Sequence, residues 1–201
     1  MQDLIVSYYD REAATLAPRY EALDPEAVYA AAIGLLPSVP SRVLDVASGS
    51  GRDAAWLRGM GHSVTAVEPS AAMREQARRL HPGDGIDWID SRLPHLEGVE
   101  RPQGGFGFIL AAAVWMHLED DERQAAWNAL ARLAAPGAHA VLLLRHGPWE
   151  AERPMFPIEP TAELARAMEA GFSCARILPE ARSDDLLGRG AVTWQTLAAR
   201  R

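Results

Sequence analysis

Three acidic residues, Asp45, Glu68 and Asp90, stand roughly 20 residues apart, and each lies in or directly after a short apolar run of the chain. A carboxylate accepts hydrogen bonds, so it suits an ammonium group, the two hydroxyls of a ribose or the exocyclic amine of an adenine. If the runs are neighbouring parallel strands, the carboxylates meet at one edge of a sheet. The spacing therefore predicts a ligand with an ammonium group, a ribose diol and an adenine, without requiring a phosphate.

A glycine-rich turn follows the first of these acids and allows a second interpretation. Residues 49–54 (GSGRDA) fit the G-x-G-x-x-G/A pattern of a dinucleotide-binding turn, in which a pyrophosphate lies at a helix N-terminus. Asp45, however, stands inside the preceding strand, and burying a carboxylate beside a phosphate costs Coulomb energy. The flanking residues therefore favour the ligand with a cationic group over a dinucleotide.

The same stretches resemble the motifs of a known family, the class I S-adenosylmethionine-dependent methyltransferases. Five segments carry the resemblance: VLDVASGSGRDA (43–54), VTAVEPS (64–70), IDWIDSRL (86–93), FILAAAVWMHL (108–118) and AHAVLLLRHG (138–147). They are similar, in that order, to the family's first to fifth motif regions, and the resemblance covers roughly residues 8–198. One position departs from the pattern, because Ala47 replaces the family's first glycine and adds a methyl group where the backbone approaches the ligand.

The resemblance implies S-adenosylmethionine as cofactor and S-adenosylhomocysteine as product. It implies that Met73 packs near the adenine or ribose, with a place in the apolar core as the alternative. Arg52 is a candidate partner of the methionine carboxylate, and Asp53 a candidate cap of the first helix. The full set of expected cofactor-binding residues is Tyr9, Asp45, Ala47, Ser48, Gly49, Gly51, Arg52, Glu68, Pro69, Met73, Asp90, Ser91, Arg92 and Ala111.

Methyl transfer from a sulfonium is an in-line displacement, so few catalytic groups are required beyond those that align the reactants. A general base is needed only where the nucleophile keeps its proton. His117 and His146 follow two predicted strands on the ligand edge. His146 is the preferred candidate on the substrate side, whereas His117 is a candidate base with capping or loop fixing as an equal alternative. Arg145 is a candidate partner for a substrate carboxylate or phosphate. The aromatic residues Tyr8, Tyr9, Trp115 and Trp149 are candidates for lining the substrate pocket.

The strands that must position these residues are predicted from β-rich apolar runs at residues 43–46, 63–67, 86–89, 106–114, 138–145, 173–178 and 191–198. Helical patterns lie between most of them, at residues 53–60, 70–80, 120–134 and 161–170. The last two strands have no helix between them and therefore form a hairpin. The chain is predicted to be an α/β protein with a Rossmann-like, doubly wound, seven-stranded sheet, mostly parallel with one antiparallel C-terminal strand.

Residues 8–36 precede the first strand and are predicted to form two helices. We expect one domain, in which residues 1–38 form a helical lid over the carboxyl ends of the strands. Residues 39–201 would then form the cofactor-binding core.

Composition limits the partners. The net charge of −7 disfavours nucleic acid as a partner. The sequence contains no run of about 18 apolar residues, so no membrane-spanning helix is predicted. Cys174 is the only cysteine, which excludes an intramolecular disulfide and a cysteine-rich zinc site. We expect a cytoplasmic monomer or homodimer without a metal, since the acids that follow His117 point in different directions around a helix.

The substrate is predicted from motifs that the chain lacks. Residues 111–115 (AAAVW) replace the Asn/Asp-Pro-Pro-aromatic motif of methyltransferases that act on base amines, and no Pro-Cys pair is present for cytosine methylation. The segments 94–105 and 148–160 are short, so a small soluble metabolite methylated on oxygen, nitrogen or sulfur fits best. A non-catalytic module that binds S-adenosylmethionine or S-adenosylhomocysteine remains the alternative. An NAD(P)-dependent oxidoreductase is a weaker one, because the chain has no lysine for a Tyr-x-x-x-Lys pair.

Overall fold

The computed structural model describes residues 1–83, 85–148, 152–179 and 191–201. Within them one sheet is formed by β1 (Arg42–Val46), β2 (Ser63–Val67), β3 (Ile86–Ile89), β4 (Phe106–Ala112), β5 (Ala134–His146), β6 (Cys174–Ile177) and β7 (Thr193–Arg200). The strand order is β3-β2-β1-β4-β5-β7-β6. β1 to β5 pair in parallel, and β7 runs antiparallel to both β5 and β6. The predicted seven-stranded α/β fold with one antiparallel strand is therefore confirmed.

The antiparallel strand β7 does not form the edge of the sheet, where the antiparallel strand is expected from the sequence. β7 is inserted between β5 and β6, so the shorter β6 forms the edge of the sheet. β5 also begins earlier than predicted, at Ala134, and includes Pro136 and Gly137. Phe106 pairs with Ala134, and the register between β4 and β5 shifts before Phe108. This pairing makes the irregular start of β5 part of the sheet.

The helices are α1 (Gln2–Glu21), α2 (Pro25–Val28), α3 (Arg52–Gly59), α4 (Ala71–Leu80), α5 (Arg123–Leu133) and α6 (Pro160–Glu169), with short 3-10 helices at Ile33–Leu35 and Trp115–His117. α1 is longer than predicted and starts before Tyr8. The prediction of a full second N-terminal helix is wrong, because only the four residues of α2, which Asp24 caps, are α-helical. Instead, Tyr29 is buried, with its ring stacked on Trp56 at 5.5 Å. Tertiary packing thus replaces the helix that the alanines of this segment favour.

α1 crosses the carboxyl edge of the sheet and packs along α4. Asp10 of α1 accepts hydrogen bonds from the Ser70 hydroxyl (2.6 Å) and the Ala72 amide (3.1 Å). Ser70 in turn caps α4 through the amide of Met73. The N-terminal helix is therefore joined to the helix that follows β2, at the same edge where the glycine-rich turn lies.

None of the helices in the described part of the chain has the length and apolar composition needed to cross a membrane. Across the same residues, no group of three or more histidine, cysteine, aspartate or glutamate side chains has the arrangement to hold a metal ion.

Candidate active site

The turn between β1 and α3 depends on left-handed backbone conformations. Ala47 has φ 60° and Gly49 has φ 54°. The Ser48 amide donates to the Val67 carbonyl (2.9 Å), which fixes the turn against β2. The Ser48 hydroxyl is buried and has no hydrogen-bond partner among the described residues. The turn therefore places the Ser48 hydroxyl and its own backbone next to the space at the carboxyl edge of the sheet. Within it, Ala47 adopts a backbone conformation that favours glycine.

Glu68, at the end of β2, is held by the backbone. One carboxylate oxygen accepts from the Gly49 amide and the other from the Ser70 amide, both at 2.9 Å. Glu68 is only 6% exposed, and burial raises the pKa of its carboxyl to about 7 against the lowering effect of these two amides. The side chain is fixed with both oxygens at the rim of the turn, and each oxygen keeps a further lone pair for a ligand.

Asp45 is placed differently from the expectation. Its side chain is 1% exposed and lies behind the turn, where the Ala54 amide donates to it. It does not line the cavity described below. Burial, together with the charge of Asp53, raises the pKa of Asp45 well above its usual value. The strand turns this side chain toward the N-terminus of α3, and its Oδ2 atom is buried without a hydrogen-bond partner among the described residues, so contact with a ligand ammonium stays a prediction.

Arg52 is already engaged by its neighbour. Its guanidinium donates to both carboxylate oxygens of Asp53 (2.8 and 3.0 Å) and to the Tyr20 carbonyl (3.2 Å). The Tyr29 hydroxyl also donates to Asp53, at 2.6 Å. Asp53 therefore joins α1, the segment after α2 and the start of α3 in one buried network, and does not cap α3 by itself.

Asp90, at the end of β3, faces outward. Its side chain is 69% exposed and accepts from Arg74 at 2.7 Å. Arg74 also donates to the Glu68 carbonyl at 2.5 Å, so this arginine of α4 ties the ends of β2 and β3 together. Sequence reasoning missed Arg74, because nothing in the pattern of α4 distinguishes an inward arginine from a solvated one.

A cavity of about 230 Å³ lies at the carboxyl edge of the sheet, below α1. The predicted cofactor residues that line it are Tyr9, Ala47, Ser48, Gly49, Arg52, Glu68, Pro69, Met73, Ser91 and Arg92. Two of the predicted catalytic residues, His117 and Arg145, also line it. The cavity therefore runs from the glycine-rich turn to the ends of β4 and β5.

The remaining predicted site residues lie outside the cavity lining. Asp90 lines a second depression, together with Arg92, Pro94 and Glu122. Gly51 has φ 85°, and a Cβ atom there would lie 2.5 Å from the Trp88 ring of β3 and 3.1 Å from Ala77 of α4, so close packing requires glycine at this position. Ala111 is fully buried in the core, and Ala112 to Val114 line the cavity in its place. Successive residues of a strand point to opposite faces, so the side chain of Ala111 points away from that of Ala112 at the end of β4.

The same alternation separates Arg145 from His146. Arg145 lines the cavity, whereas His146 does not, and the His146 Nε2 atom is buried with no hydrogen-bond partner among the described residues. Burial also lowers the pKa of His146. The expectation that His146 acts on the substrate is not supported by this placement.

Tyr9 and His117 form a pair at the end of the cavity beside the carboxyl end of β4. The Tyr9 hydroxyl lies 3.0 Å from His117 Nε2, and His117 Nδ1 lies 2.8 Å from the Pro154 carbonyl oxygen. Since the carbonyl can only accept, Nδ1 carries a proton, and when the ring is neutral Nε2 accepts from the tyrosine. Arg153, which the sequence did not single out, donates to the same hydroxyl at 3.4 Å. A basic nitrogen thus faces the cavity on a ring whose tautomer is fixed.

The other aromatic candidates are placed elsewhere. Trp115 is fully buried, and its Nε1 donates to Glu163 at 2.8 Å. The Tyr8 ring lies beside the guanidinium groups of Arg11 and Arg153, 5.5 and 5.4 Å from its centroid. Trp149 lies outside the described residues. Of the three aromatic candidates within the described residues, Tyr9 is the one that lines the cavity.

Replacing Ala47 by glycine tests the strain in the turn. Glycine removes the cost of roughly 1 kcal/mol that alanine pays in a left-handed conformation. It also raises the conformational entropy of the unfolded chain, which lowers the free energy of unfolding by about 0.4–1 kcal/mol. We expect the free energy of unfolding to be unchanged or to rise by up to about 1 kcal/mol, measured by urea denaturation. Ala14→Gly, in the exposed middle of α1, is the control and should lose about 1 kcal/mol. Equal losses in both variants would contradict strain at Ala47.

Residues 43–137 match a family model described as a methyltransferase domain. The matched span holds the glycine-rich turn, Glu68, Arg74 and His117. No curated protein sequence matches the chain.

Solved structures of known proteins share the fold. An S-adenosylmethionine-dependent methyltransferase from Mesorhizobium loti is 21% identical, with a TM-score of 0.66 over 89% of this chain and 99% of the other. The Burkholderia thailandensis 1,6-didemethyltoxoflavin-N1-methyltransferase, with 1,6-didemethyltoxoflavin and S-adenosylhomocysteine bound, is 17% identical, with a TM-score of 0.71 over 100% and 88%. The DhpI complex with S-adenosylhomocysteine is 21% identical, with a TM-score of 0.68 over 98% and 95%.

At these identities the structural likeness shows a shared fold, and the family match adds the methyltransferase domain itself. Both agree with the motifs that surround the glycine-rich turn. The chain thus contains a methyltransferase domain over residues 43–137, and it shares the fold of S-adenosylmethionine-dependent methyltransferases.

Proposed function

We propose that this methyltransferase acts on an oxygen, nitrogen or sulfur atom of a small soluble metabolite. The observation that carries the proposal is one continuous cavity below α1, which joins the glycine-rich turn and Glu68 to the Tyr9 and His117 pair. A cavity of about 230 Å³ covered by a helix suits a small acceptor better than a polymer. The Burkholderia relative, crystallised with 1,6-didemethyltoxoflavin, gives a precedent for a small acceptor on this fold.

The residues present fit the cofactor. Glu68 offers lone pairs to two ribose hydroxyls, the Ser48 hydroxyl supplies a further polar group, and Met73 supplies an apolar wall. When bound, S-adenosylmethionine would supply a methyl carbon on a sulfonium; the acceptor atom would bond to this carbon in line as the carbon–sulfur bond breaks, with S-adenosylhomocysteine as the leaving group. The task of the chain is to align the two reactants, exclude water and accept the acceptor's proton where there is one.

We also propose that residues 1–38 act as the lid and residues 39–201 as the cofactor-binding core, in a cytoplasmic monomer or homodimer. Lining of the cavity by Ile5, Val6 and Tyr9 supports the lid assignment.

The proposal is tested with S-adenosylmethionine carrying a labelled methyl group, a panel of small metabolites and mass spectrometry of the products. Transfer of label to a metabolite supports it, and transfer only to RNA, DNA or protein overturns it. Calorimetric titrations with S-adenosylhomocysteine, NAD and NADP come first. Binding of the first alone is expected, whereas binding without any transfer would indicate a non-catalytic module.

The pKa of Glu68 gives a prediction about cofactor affinity. With a carboxyl pKa of about 7, roughly nine-tenths of Glu68 is protonated at pH 6, and only the carboxylate offers both oxygens to the ribose. Affinity for S-adenosylhomocysteine should therefore fall about tenfold from pH 8 to pH 6. Calorimetry in buffers of different ionisation enthalpy should show nearly one proton released per ligand at pH 6 and almost none at pH 8.

Two variants serve as controls for this pH dependence. Glu68→Gln should bind more weakly at every pH and release no proton, because it has no charge to form. Glu75→Gln, an exposed change on α4, should behave as the unchanged protein does. An affinity that stays constant from pH 6 to pH 8 in the unchanged protein would contradict the ribose role of Glu68.

A further inference from the structure

We propose that the methyl acceptor has an uncharged, apolar body, which the protein binds between the segment at the end of α2 and the strand pair β5–β7. This inference rests on the proposed function and names the class of its substrate. Two groups of residues in the cavity lining carry it. The N-terminal wall is formed by Val28, Ala30 and Ala31, and the sheet wall by Leu143, Trp194 and Thr196.

The sheet wall continues a face of the sheet that is buried in the core. Leu143 of β5 lies opposite Thr196 of β7, and Trp194 is two residues from Thr196 on the same strand. Side chains two residues apart on a strand share one face, so the three occupy neighbouring positions there. Further along this face, Val141 pairs with Ala198, and both are buried. Leu143 and Trp194 are only half-buried, because at this height the face borders the cavity.

The N-terminal wall is fixed in place by the residue within it. Tyr29 is buried between Val28 and Ala30, and its hydroxyl donates to Asp53 at 2.6 Å. This anchor joins the segment to the start of α3 and leaves its neighbours facing the cavity. Val28, Ala30 and Ala31 all line that cavity.

The two walls lie close together. Val28, Ala31 and Leu143 pack against one core cluster, to which Tyr29 and Val141 belong. All three are half-buried, so part of their apolar surface faces the cavity. Transfer of apolar surface out of water is favourable in proportion to its area. An acceptor with an apolar body would therefore gain affinity from each part of the two walls that it covers.

The polar side chains near the walls have partners within the protein. The Tyr9 hydroxyl lies 3.0 Å from His117 Nε2, and Arg153 donates to that hydroxyl at 3.4 Å. Arg145 donates to the sulfur of Met155 at 2.6 Å, and both arginines have further partners in the chain. A charged group placed against the walls would lose hydration to apolar side chains. Ligand pockets commonly combine apolar walls with a few polar groups that orient the reacting atom, and Tyr9 with His117 can do so here.

Three phenols that differ at one position test this inference. 4-Ethylphenol and 4-hydroxybenzyl alcohol have nearly the same shape, with a methyl group in the first where the second has a hydroxyl, and 4-hydroxybenzoate adds a charge. Calorimetric titrations are run on the protein saturated with S-adenosylhomocysteine. We expect 4-ethylphenol to bind at least about tenfold more tightly than either of the others, because a hydroxyl or a carboxylate loses hydration against apolar side chains.

Variants assign the preference to the two walls. Val28→Thr and Leu143→Asn nearly keep side-chain size and add polar atoms. Each should reduce the preference for 4-ethylphenol over 4-hydroxybenzyl alcohol to about threefold or less and keep the affinity for S-adenosylhomocysteine within about threefold. Val39→Thr, at a valine that is 64% exposed and does not line the cavity, is the matched control and should keep the full preference.

A larger side chain tests the same space without a change in the core. Ala30 is exposed on the N-terminal wall, so Ala30→Phe adds a ring toward the cavity while the packing of Tyr29 stays as it is. The affinity for 4-ethylphenol should fall about tenfold or more, because the added ring takes the place of the ligand. Retained binding of S-adenosylhomocysteine shows that each variant is folded.

The outcomes separate this inference from the function on which it rests. Equal binding of 4-ethylphenol and 4-hydroxybenzyl alcohol, or binding by none of the phenols, overturns the apolar site and leaves methyl transfer intact. Tightest binding by 4-hydroxybenzoate overturns it in favour of an anionic acceptor. A preference that survives Val28→Thr, Leu143→Asn and Ala30→Phe also overturns it. Failure of the unchanged protein to bind S-adenosylhomocysteine would instead reject the proposed function.

Discussion

Replacing Glu163 by leucine is expected to lower the free energy of unfolding by about 3–5 kcal/mol, the cost of removing one partner from a buried ion pair. Glu163 is fully buried. One of its carboxylate oxygens accepts from Nε1 of both Trp115 (2.8 Å) and Trp127 (2.9 Å). The other contacts Arg166 at 2.5 Å and lies 3.7 Å from Arg123, which is 1% exposed. Leucine would leave two indole N–H groups and a buried guanidinium without these partners.

Urea denaturation measures this loss, with Glu169→Leu on the exposed face of α6 as the control. The control should stay within about 0.5 kcal/mol of the unchanged protein. Adding Arg123→Met to Glu163→Leu should recover at least about 1 kcal/mol, because the second change removes the stranded charge. A loss below about 1 kcal/mol in the single variant would show that water or rearrangement replaces the network.

The cofactor half of the fold could be predicted because its signals are local. The runs at residues 63–67 and 86–89 form β2 and β3 with the predicted bounds, and Ser70 caps α4 as expected. Apolar strand composition, a capping residue and a glycine turn each determine structure over a few neighbours. Ala47 extends this lesson, since its φ of 60° shows that the turn keeps the left-handed conformation even where glycine is absent.

The substrate half could not be predicted in the same way, because its contacts are distant in sequence. Arg153 meets Tyr9 and Tyr8 from a segment more than a hundred residues away, and neither spacing nor composition connects them. The direction of side chains at strand ends also escaped prediction: Asp45 turned behind the glycine-rich turn, and His146 turned away from the cavity. A one-residue shift in strand register reverses such directions, so sequence patterns identify the strand ends better than the side chains that face the ligand.

His117 is expected to be required for turnover on any acceptor that must lose a proton. Its Nδ1–H donates to the Pro154 carbonyl, so Nε2 carries the lone pair that faces the cavity and accepts from Tyr9. Asparagine at this position offers no basic nitrogen. We expect His117→Asn to lower kcat by about 100-fold or more, the typical contribution of a general base. KM for S-adenosylmethionine should change little, because Glu68 and the glycine-rich turn are untouched. Steady-state kinetics with the acceptor found in the metabolite screen measures both constants.

Two further variants decide how the proton reaches His117. Tyr9→Phe removes the hydroxyl that occupies Nε2; kcat should be retained if the acceptor meets the imidazole directly, and should fall with His117→Asn if the proton passes through the tyrosine. His146→Asn compares the other predicted base, and its kcat should stay within about twofold because this ring does not line the cavity. A large loss of kcat in His146→Asn together with an unchanged kcat in His117→Asn would reverse the assignment. The proton acceptor would then be His146, on the face of β5 opposite to Arg145.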